Sequence, residues 1–279
     1  MNNKELQLIA CKIRKHVIEE VHAAKSGHPG GSLSMTDIIT EIYFEQMNVD
    51  PKNPKWEDRD RFVLSKGHCS PALYAALAEK GYFPVEDLLT FRKTGSHLQG
   101  HPSLKCTSGV DMSTGSLGQG LSAANGMALA AKMDNKDYRV YTVMGDGEIE
   151  EGQIWEAAML AAHYKLDNLC AVVDWNGLQI DGRITDVMSS LPIDEKFAAF
   201  GWNVISVDGH DFDSLRDGFN KAKECKGKPT VLVAKTIKGK GVSFMEDLAS
   251  WHGTAPNDEQ AAQAIEEIEA KFAELGGNK

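Results

Sequence analysis

The sequence predicts an α/β fold in which helices cover both faces of a mostly parallel sheet. Short apolar runs such as 140–144 and 169–174 alternate with segments of helical periodicity. These runs are continuously apolar, as is typical of strands buried on both faces. The 279 residues suffice for one large domain, and no internal repeat or clear boundary divides them. We therefore expect a single domain over residues 1–279.

The first half of the chain is expected to be mainly helical. Residues 4–24 repeat apolar side chains at helical spacing. The glycine-rich segment 26–31 should break this helix, and a second apolar helix is predicted from Met35 to Met47. The next predicted elements are a buried strand over 61–65, a helix over 70–80 and a small-residue helix after the glycine-rich segment 115–120.

From residue 140 onward, strands and helices alternate regularly. Asn257 and Asp258 are typical helix-capping residues before an amphipathic stretch, so we expect residues 257–279 to form a C-terminal helix and tail. The predicted strands are 140–144, 169–174, 204–207 and 231–234, and the predicted helices are 150–164 and 213–224.

Composition restricts the classes of function. The formal net charge of -10 argues against a nucleic-acid surface. The charged N-terminus lacks the apolar core of a signal peptide, and no apolar stretch is long enough to span a bilayer. The five cysteines are scattered, which indicates free thiols in a reducing compartment. We expect a cytoplasmic protein that binds neither nucleic acid nor membranes.

A carboxylate flanked by two glycines follows one predicted strand, in the sequence Gly145-Asp146-Gly147. Asn176 follows the next strand along the chain, and the carbonyl of Leu178 lies close to it in sequence. Because parallel strands bind ligands at their carboxyl ends, these oxygens are expected to lie close together. They could hold Mg²⁺ or Ca²⁺ against a diphosphate. The alternative for Asp146 is ordinary turn chemistry.

Four histidines lie in glycine-containing loops, where catalytic residues often gather: His28, His68, His101 and His252. One such histidine would usually be structural. Four together suggest neutral side chains that bind sugar hydroxyls or transfer protons near neutral pH.

Three further segments have both an ordinary and a functional interpretation. The segment 115–120 could pack a helix closely or contact a ligand. Glu151 and Glu156 could follow the helix N-terminal preference for acids, or they could lie in an interface because alanines crowd the same helix. The basic segment 235–241 could face phosphate, but a solvated loop is favoured.

Taken together, these residues resemble the thiamine-diphosphate enzymes, and the transketolases most closely. The ordered set runs from residue 26 to residue 256 and is far more specific than Gly-Asp-Gly alone. The matching stretches are SGHPGG (26–31), LSKGH (64–68), QGHP (99–102), TGSLGQG (114–120), GDGEIEEGQIWEA (145–157), DWNGLQIDG (174–182), KTIKGKG (235–241) and WHGTAP (251–256).

The resemblance implies a thiamine diphosphate-binding fold of the diphosphate (PP) type and a role for each matching residue. Asp146, Asn176 and the Leu178 carbonyl would ligate Mg²⁺ or Ca²⁺, which holds the cofactor's diphosphate. Glu151 and Glu156 would join two cofactor sites across an interface. The catalytic histidines would be His28, His68, His101 and His252. The remaining cofactor contacts would be His68, Gly115, Leu117, Gly147, Ile180 and His252.

Transketolases usually carry a second, pyrimidine-binding domain and a third, C-terminal domain, and this chain resembles only the first. The resemblance therefore implies the N-terminal subunit of a split transketolase, with a C-terminal partner subunit and α2β2 self-association. The pair would transfer a two-carbon ketol unit from a ketose phosphate to an aldose phosphate. The sugars stay open among pentose phosphates, branched apiose-type sugars and sulfonated sugars.

Two alternatives remain at this point. The chain could belong to another thiamine-diphosphate enzyme, such as the α subunit of a 2-oxo-acid dehydrogenase or the N-terminal part of deoxyxylulose-phosphate synthase. It could also be a non-catalytic regulatory subunit with the same fold. The sugar-facing histidine loops favour ketol transfer over decarboxylation of an oxo acid.

Overall fold

Five parallel strands form the centre of the molecule in the computed structural model, which describes residues 1–277. Their spatial order is β1-β2-β3-β7-β6, and a separate antiparallel pair, β4 and β5, follows β3. This confirms the predicted fold class. The strands are β1 (Arg61–Leu64), β2 (Val140–Gly145), β3 (Leu169–Trp175), β4 (Leu178–Gln179), β5 (Gly182–Arg183), β6 (Asn203–Asp208) and β7 (Thr230–Lys235).

Helices cover both faces of the sheet because successive strand residues point to opposite sides. On β3, Cys170 and Val172 join one apolar cluster, whereas Ala171 and Val173 join the other. The α-helices are α1 (Asn3–Ala24), α2 (Pro29–Ser34), α3 (Thr36–Glu41), α4 (Ser70–Lys80), α5 (Gln119–Met133), α6 (Gly152–His163), α7 (Ile184–Val187), α8 (Ile193–Ala199), α9 (Phe212–Glu224) and α10 (Asp258–Glu274).

The register of the central strands positions the functional segments. β2 and β3 pair residue by residue from Val140 with Leu169 to Gly145 with Asp174. Both strands therefore end at the same edge, and the residues that follow them, Asp146 and Asn176, are brought together as predicted.

The prediction for the segment after α1 was wrong in its details. Residues 29–34 are helical, and the predicted helix from Met35 to Met47 is instead α3 followed by a π-helical turn over 42–46. Pro29 suits the first helical turn because its missing N–H would be unpaired there in any case. Gly30 and Gly31 leave no room for a larger side chain, because neighbouring residues pack closely against them. A Cβ on Gly31 would lie 2.7 Å from Cys69 Sγ.

The two terminal helices pack against each other. Both begin with a capping box, formed by Asn2 with Glu5 on α1 and by Asn257 with Gln260 on α10. The C-terminal helix is thus present, while residues 278–279 of the predicted tail lie outside the described part of the chain. Within residues 1–277, no helix is long and apolar enough to cross a membrane.

Candidate functional site

A cavity of about 390 Å³ opens at the carboxyl ends of the central strands. It brings together most of the residues that the sequence singled out. His101 and Glu156 are not among the residues that line it. The predicted site residues that do line it are His28, His68, Gly115, Leu117, Asp146, Gly147, Glu151, Asn176, Leu178, Ile180 and His252.

Asp146 is buried and held by backbone donors. The amide of Gly147 donates to its Oδ1 at 2.9 Å, and the amide of Gly177 donates to its Oδ2 at 2.5 Å. Burial, reinforced by the charge of Asp174, raises the pKa of Asp146 to about 6. A cation placed here would offset the cost of burying this negative charge.

The donors around Asp146 suit a hard divalent ion bound to a diphosphate. Asp146, the Asn176 amide and the Leu178 carbonyl supply the oxygen atoms that Mg²⁺ and Ca²⁺ prefer. The Leu178 carbonyl also accepts a hydrogen bond from Lys238 Nζ at 3.1 Å, so a positive charge lies beside the ion position. The set therefore offers hard oxygens for a metal and an ammonium group for an anionic ligand.

The basic segment 235–241 is not the solvated loop that the sequence favours. The side chain of Lys238 is only 2% exposed, and that of Thr236 is buried as well. The Gly239 amide donates to the Gly30 carbonyl at 2.9 Å, which anchors the segment against α2. Burial, with the nearby charge of Lys66, lowers the pKa of Lys238 to about 8. A buried cation here costs stability and thereby favours an anionic partner.

Sequence reasoning missed a buried polar cluster next to this cavity. Asp174 accepts hydrogen bonds from Ser34 Oγ at 2.5 Å, from Lys66 Nζ and from Thr236 Oγ1. Burial alone would raise the pKa of Asp174, but Lys66 and the hydroxyl donors outweigh it and the net shift is downward. The cluster ties α2 to three strand ends, and its only sequence signal was a charged residue at the end of a buried strand.

The histidines form one cluster, although they come from four distant loops. The ring centroids of His28 and His68 are 5.2 Å apart, and those of His28 and His252 are 5.5 Å apart. His68 stacks on His252 with centroids 5.2 Å apart. His101 lies further out, with its centroid 6.5 Å from that of His28. The geometry thus assembles the predicted set into one cluster, in which His28, His68 and His252 line the cavity and His101 lies outside it.

These histidines are neutral near pH 7. Burial, with the charges of Arg92, His101 and Lys238, lowers the pKa of His28 to about 4. Burial and Lys238 lower the pKa of His252 to about 3. Burial lowers the pKa of His68 and that of His101 as well. Each neutral imidazole has one donor and one acceptor nitrogen, which suits sugar hydroxyls.

Two buried imidazole nitrogens lack a protein partner within residues 1–277. Nδ1 of His28 and Nδ1 of His252 have no hydrogen-bond partner within the described part of the chain. Such atoms are rare in folded proteins and are usually satisfied by water or a ligand. Together with the oxygen donors, they make the cavity fit a polar, anionic cofactor and its substrate.

The glycine-rich segment 115–120 both lines the cavity and packs closely against neighbouring residues. Gly115 lines the cavity with φ +141°, and a Cβ there would lie 2.9 Å from His101 Cδ2. Gly120 instead permits close packing, since a Cβ would lie 2.7 Å from Ser65 Cα. Glu148 secures the segment by accepting hydrogen bonds from the Gly118 amide at 3.1 Å and from Ser65 Oγ at 2.5 Å.

The two glutamates predicted for an interface lie on the outside of α6 or at its start. Glu151 is exposed and lines the cavity, whereas Glu156 is exposed outside it. Met159 and Leu160, on the same helix, are 54% and 42% exposed. Neighbouring exposed apolar side chains are typical of a surface that another chain covers.

Comparison with known proteins identifies the family of this chain. The sequence profile described as "Transketolase, thiamine diphosphate binding domain" matches residues 6–272. The chain belongs to the transketolase family. Among solved structures, the transketolase from Campylobacter jejuni superposes with a TM-score of 0.88 at 34% identity. That match covers 99% of this transketolase chain and 48% of the other, so the chain spans about half of that solved protein.

Two curated transketolase relatives match this chain nearly end to end. The 6-deoxy-6-sulfo-D-fructose transketolase subunit SqwG of Clostridium sp. (strain MSTE9) is 48% identical, over 96% of this chain and 98% of the relative. An apulose-4-phosphate transketolase subunit of Phocaeicola vulgatus is 45% identical, over 99% of this chain and 98% of the relative. Both names describe subunits.

Proposed function

We propose that this chain is the N-terminal, diphosphate-binding subunit of a two-subunit transketolase. The observation that supports it most is that one cavity is lined both by the oxygen ligands around Asp146 and by the neutral His28, His68 and His252. With a C-terminal partner subunit, the chain would transfer a two-carbon ketol unit from a ketose to an aldose.

The oxygen-rich end of the cavity is assigned to the cofactor. Asp146, Asn176 and the Leu178 carbonyl would ligate Mg²⁺, and Lys238 would neutralise part of the diphosphate charge. Thiamine diphosphate supplies the electron sink for cleavage of the carbon–carbon bond. Gly147 and Gly115 would let the backbone approach the cofactor, and Leu117 and Ile180 would pack beside it at the rim.

The histidine cluster is assigned to the sugar. His28, His101 and His252 would orient the hydroxyl and carbonyl groups of the donor, and His68 would contact both cofactor and substrate. Because all four imidazoles are neutral near pH 7, each can donate one hydrogen bond and accept another. An imidazole that accepts a proton at one nitrogen while the other nitrogen releases one can pass a proton along and stay neutral.

A second polypeptide is expected to complete the site. The chain matches two proteins named as subunits over almost their whole length, and it spans about half of a single-chain transketolase. The partner would seat the pyrimidine ring of the cofactor. We expect self-association to α2β2 through the exposed face of α6, with Glu151 and Glu156 joining two cofactor sites. We also expect a cytoplasmic location.

The proposal is tested by reconstitution. The isolated chain, the candidate partner and their mixture are assayed with Mg²⁺, thiamine diphosphate, a ketose phosphate donor and an aldose phosphate acceptor. Ketol transfer by the mixture alone is the expected result. Full activity of the isolated chain would refute the two-subunit assignment. A mixture that decarboxylates pyruvate but ignores ketoses would indicate a 2-oxo-acid dehydrogenase instead.

The names of the same relatives support a proposal for the substrate class. One is named for a sulfonated ketose and the other for a sugar phosphate, so we propose a ketose with an anionic terminal group as the donor. A donor panel of ketose phosphates, a sulfonated ketose and uncharged ketoses separates these possibilities by their kcat/KM values.

A further inference from the structure

His210 lies outside the cavity, yet it binds the backbone directly beside the cavity residue Lys238. It is in the loop between β6 and α9, and its side chain is largely buried. The amide of Ile237, the residue before Lys238, donates to His210 Nε2 at 2.9 Å. Gly209 allows this close approach, because a Cβ there would collide with the side chain of Thr236. The loop after β6 is therefore fitted to the basic segment 235–241.

A buried ion pair holds the imidazole of His210 in one orientation. Its Nδ1 lies 2.8 Å from Asp37 Oδ2, and Arg14 Nη2 donates to the same oxygen at 2.5 Å. Burial alone would raise the pKa of Asp37, but the charge of Arg14 and the hydrogen bond from His210 outweigh it, so the net shift is downward. Because the Ile237 amide can only donate, His210 Nε2 accepts. The ring proton is then on Nδ1, where it donates to Asp37.

The ammonium group of Lys238 depends on its backbone for its position. Its Nζ donates to the Leu178 carbonyl at 3.1 Å, and no carboxylate within residues 1–277 forms an ion pair with it. Lys66, by contrast, is held by its ion pair with Asp174. The charge of Lys66 also repels that of Lys238. The hydrogen bond at Ile237 therefore helps to decide where this buried charge lies.

We propose that His210 is a positioning residue for cofactor binding, which holds the Ile237 backbone so that the Lys238 ammonium faces the diphosphate. This inference rests on the proposed function, in which Lys238 neutralises part of the diphosphate charge. Arg14 holds the same segment further along, since its Nε donates to the Lys240 carbonyl at 3.1 Å. Helices α1 and α3, whose residues 3–24 and 36–41 do not line the cavity, would thus fix a charge inside it.

Two substitutions of His210 separate its acceptor from its donor. In His210→Gln, the side-chain oxygen can take the place of Nε2 and accept from the Ile237 amide. In His210→Asn, the shorter amide can still donate to Asp37 but does not reach Ile237. His22→Asn is the matched control, because His22 Nε2 also bonds to an aspartate, Asp258, at 2.8 Å, on the exposed surface.

Hydrogen exchange at the Ile237 amide, followed by NMR in the full chain, measures the hydrogen bond directly. His210→Asn should speed this exchange by about twofold to tenfold, because the amide loses its acceptor. His210→Gln and His22→Asn should leave it near the wild-type rate. Amides within β7 should exchange as in the wild type, which shows that the sheet is intact. Equal exchange of the Ile237 amide in wild type and His210→Asn would overturn the proposal.

Cofactor affinity tests whether His210 acts through Lys238. Thiamine diphosphate is titrated calorimetrically, with Mg²⁺, into the mixture of each variant with the partner subunit. His210→Asn should weaken binding by about twofold to tenfold, and His210→Gln should restore most of the loss. In a Lys238→Met background, His210→Asn should have little further effect, because the charge that it positions is gone. An equal loss in both backgrounds would overturn the proposal, since His210 would then affect the fold in general.

Ketol transfer separates this inference from the proposed function. A mixture that binds thiamine diphosphate in a way that depends on His210, but transfers no ketol unit, would support the positioning role and refute the proposed function. Ketol transfer by a mixture whose cofactor affinity is the same in wild type and His210→Asn would support the function and overturn the positioning role.

Discussion

Two glycines of α5 have very different surroundings, and substituting each with alanine gives a quantitative test of the packing. Gly120 faces β1, where a new Cβ would lie 2.7 Å from the backbone Cα of Ser65. Gly126, in the middle of the same helix, has no atom within 4 Å of such a Cβ. The same methyl group is therefore added to a crowded position in one variant and to open solvent in the other.

The two substitutions should change stability in opposite directions. Gly126→Ala should raise the free energy of unfolding by about 0.5–1 kcal/mol, since alanine restricts the unfolded chain and favours the helix. Gly120→Ala should lower it by about 1–3 kcal/mol, because backbone atoms must move to admit the methyl group. The difference between the variants is thus about 1.5–4 kcal/mol by the same estimates.

Urea denaturation of the two variants, followed by circular dichroism, measures this difference. Gly120→Ala should also weaken thiamine diphosphate binding, because α5 begins just after Gly115 and Leu117 at the cavity. Equal urea midpoints for the two variants would show that the contact between α5 and β1 is looser than described. The packing argument for the glycine-rich segment would then be refuted.

Four other changes test the site and the core. Asp146→Ala should abolish Mg²⁺-dependent retention of thiamine diphosphate in calorimetry, because an anionic ligand is lost. His101→Ala should raise donor KM and lower kcat while cofactor affinity stays near wild type. Lys66→Met should lower the free energy of unfolding by about 3–5 kcal/mol, since it leaves Asp174 buried and unpaired. Burial raises the pKa of Glu20 in the folded state. Glu20→Gln should therefore stabilise the chain increasingly as pH rises above the pKa that Glu20 has in the unfolded state.

Specific outcomes would contradict these four expectations. If Asp146→Ala keeps normal Mg²⁺-dependent affinity for thiamine diphosphate, the assignment of Asp146 as a metal ligand is wrong. If His101→Ala loses affinity for the cofactor, His101 contacts the cofactor and not the sugar. For the buried pair, a Lys66→Met, Asp174→Asn double variant that is as unstable as the sum of its singles would show that the two groups are not coupled. A pH-independent gain in Glu20→Gln would mean that its carboxyl is equally protonated in both states.

The sheet was predictable because a strand that is buried on both faces has a continuous run of apolar residues in its sequence. The continuous apolar runs of β2, β3 and β7 have no other explanation at that length, and the residues after β2 and β3 follow from the parallel register. The Gly-Asp-Gly turn and the histidine loops could be found because glycine next to a chemically active side chain is a pattern within a few residues.

What could not be predicted depends on contacts between distant segments. The helix at Pro29 exists because Gly30 and Gly31 fit against residues far away in sequence, which overrides the weak helix propensity of glycine. A basic segment rich in glycine usually lies in solvent, yet the Gly30 carbonyl and the Leu178 carbonyl hold the segment around Lys238 inside. A pattern within a few residues cannot indicate a hydrogen-bond partner that lies so far away along the chain.

The cluster around Asp174 also has a consequence for protein synthesis. Its donors Ser34, Lys66 and Thr236 lie 140, 108 and 62 residues away along the chain. Translation at about 5–20 residues per second separates the first donor from the last by on the order of 10–40 s. β6 must also wait, because its partner in the sheet, β7, is made after it. The nascent chain should therefore stay sensitive to protease until residue 236 has emerged from the ribosome.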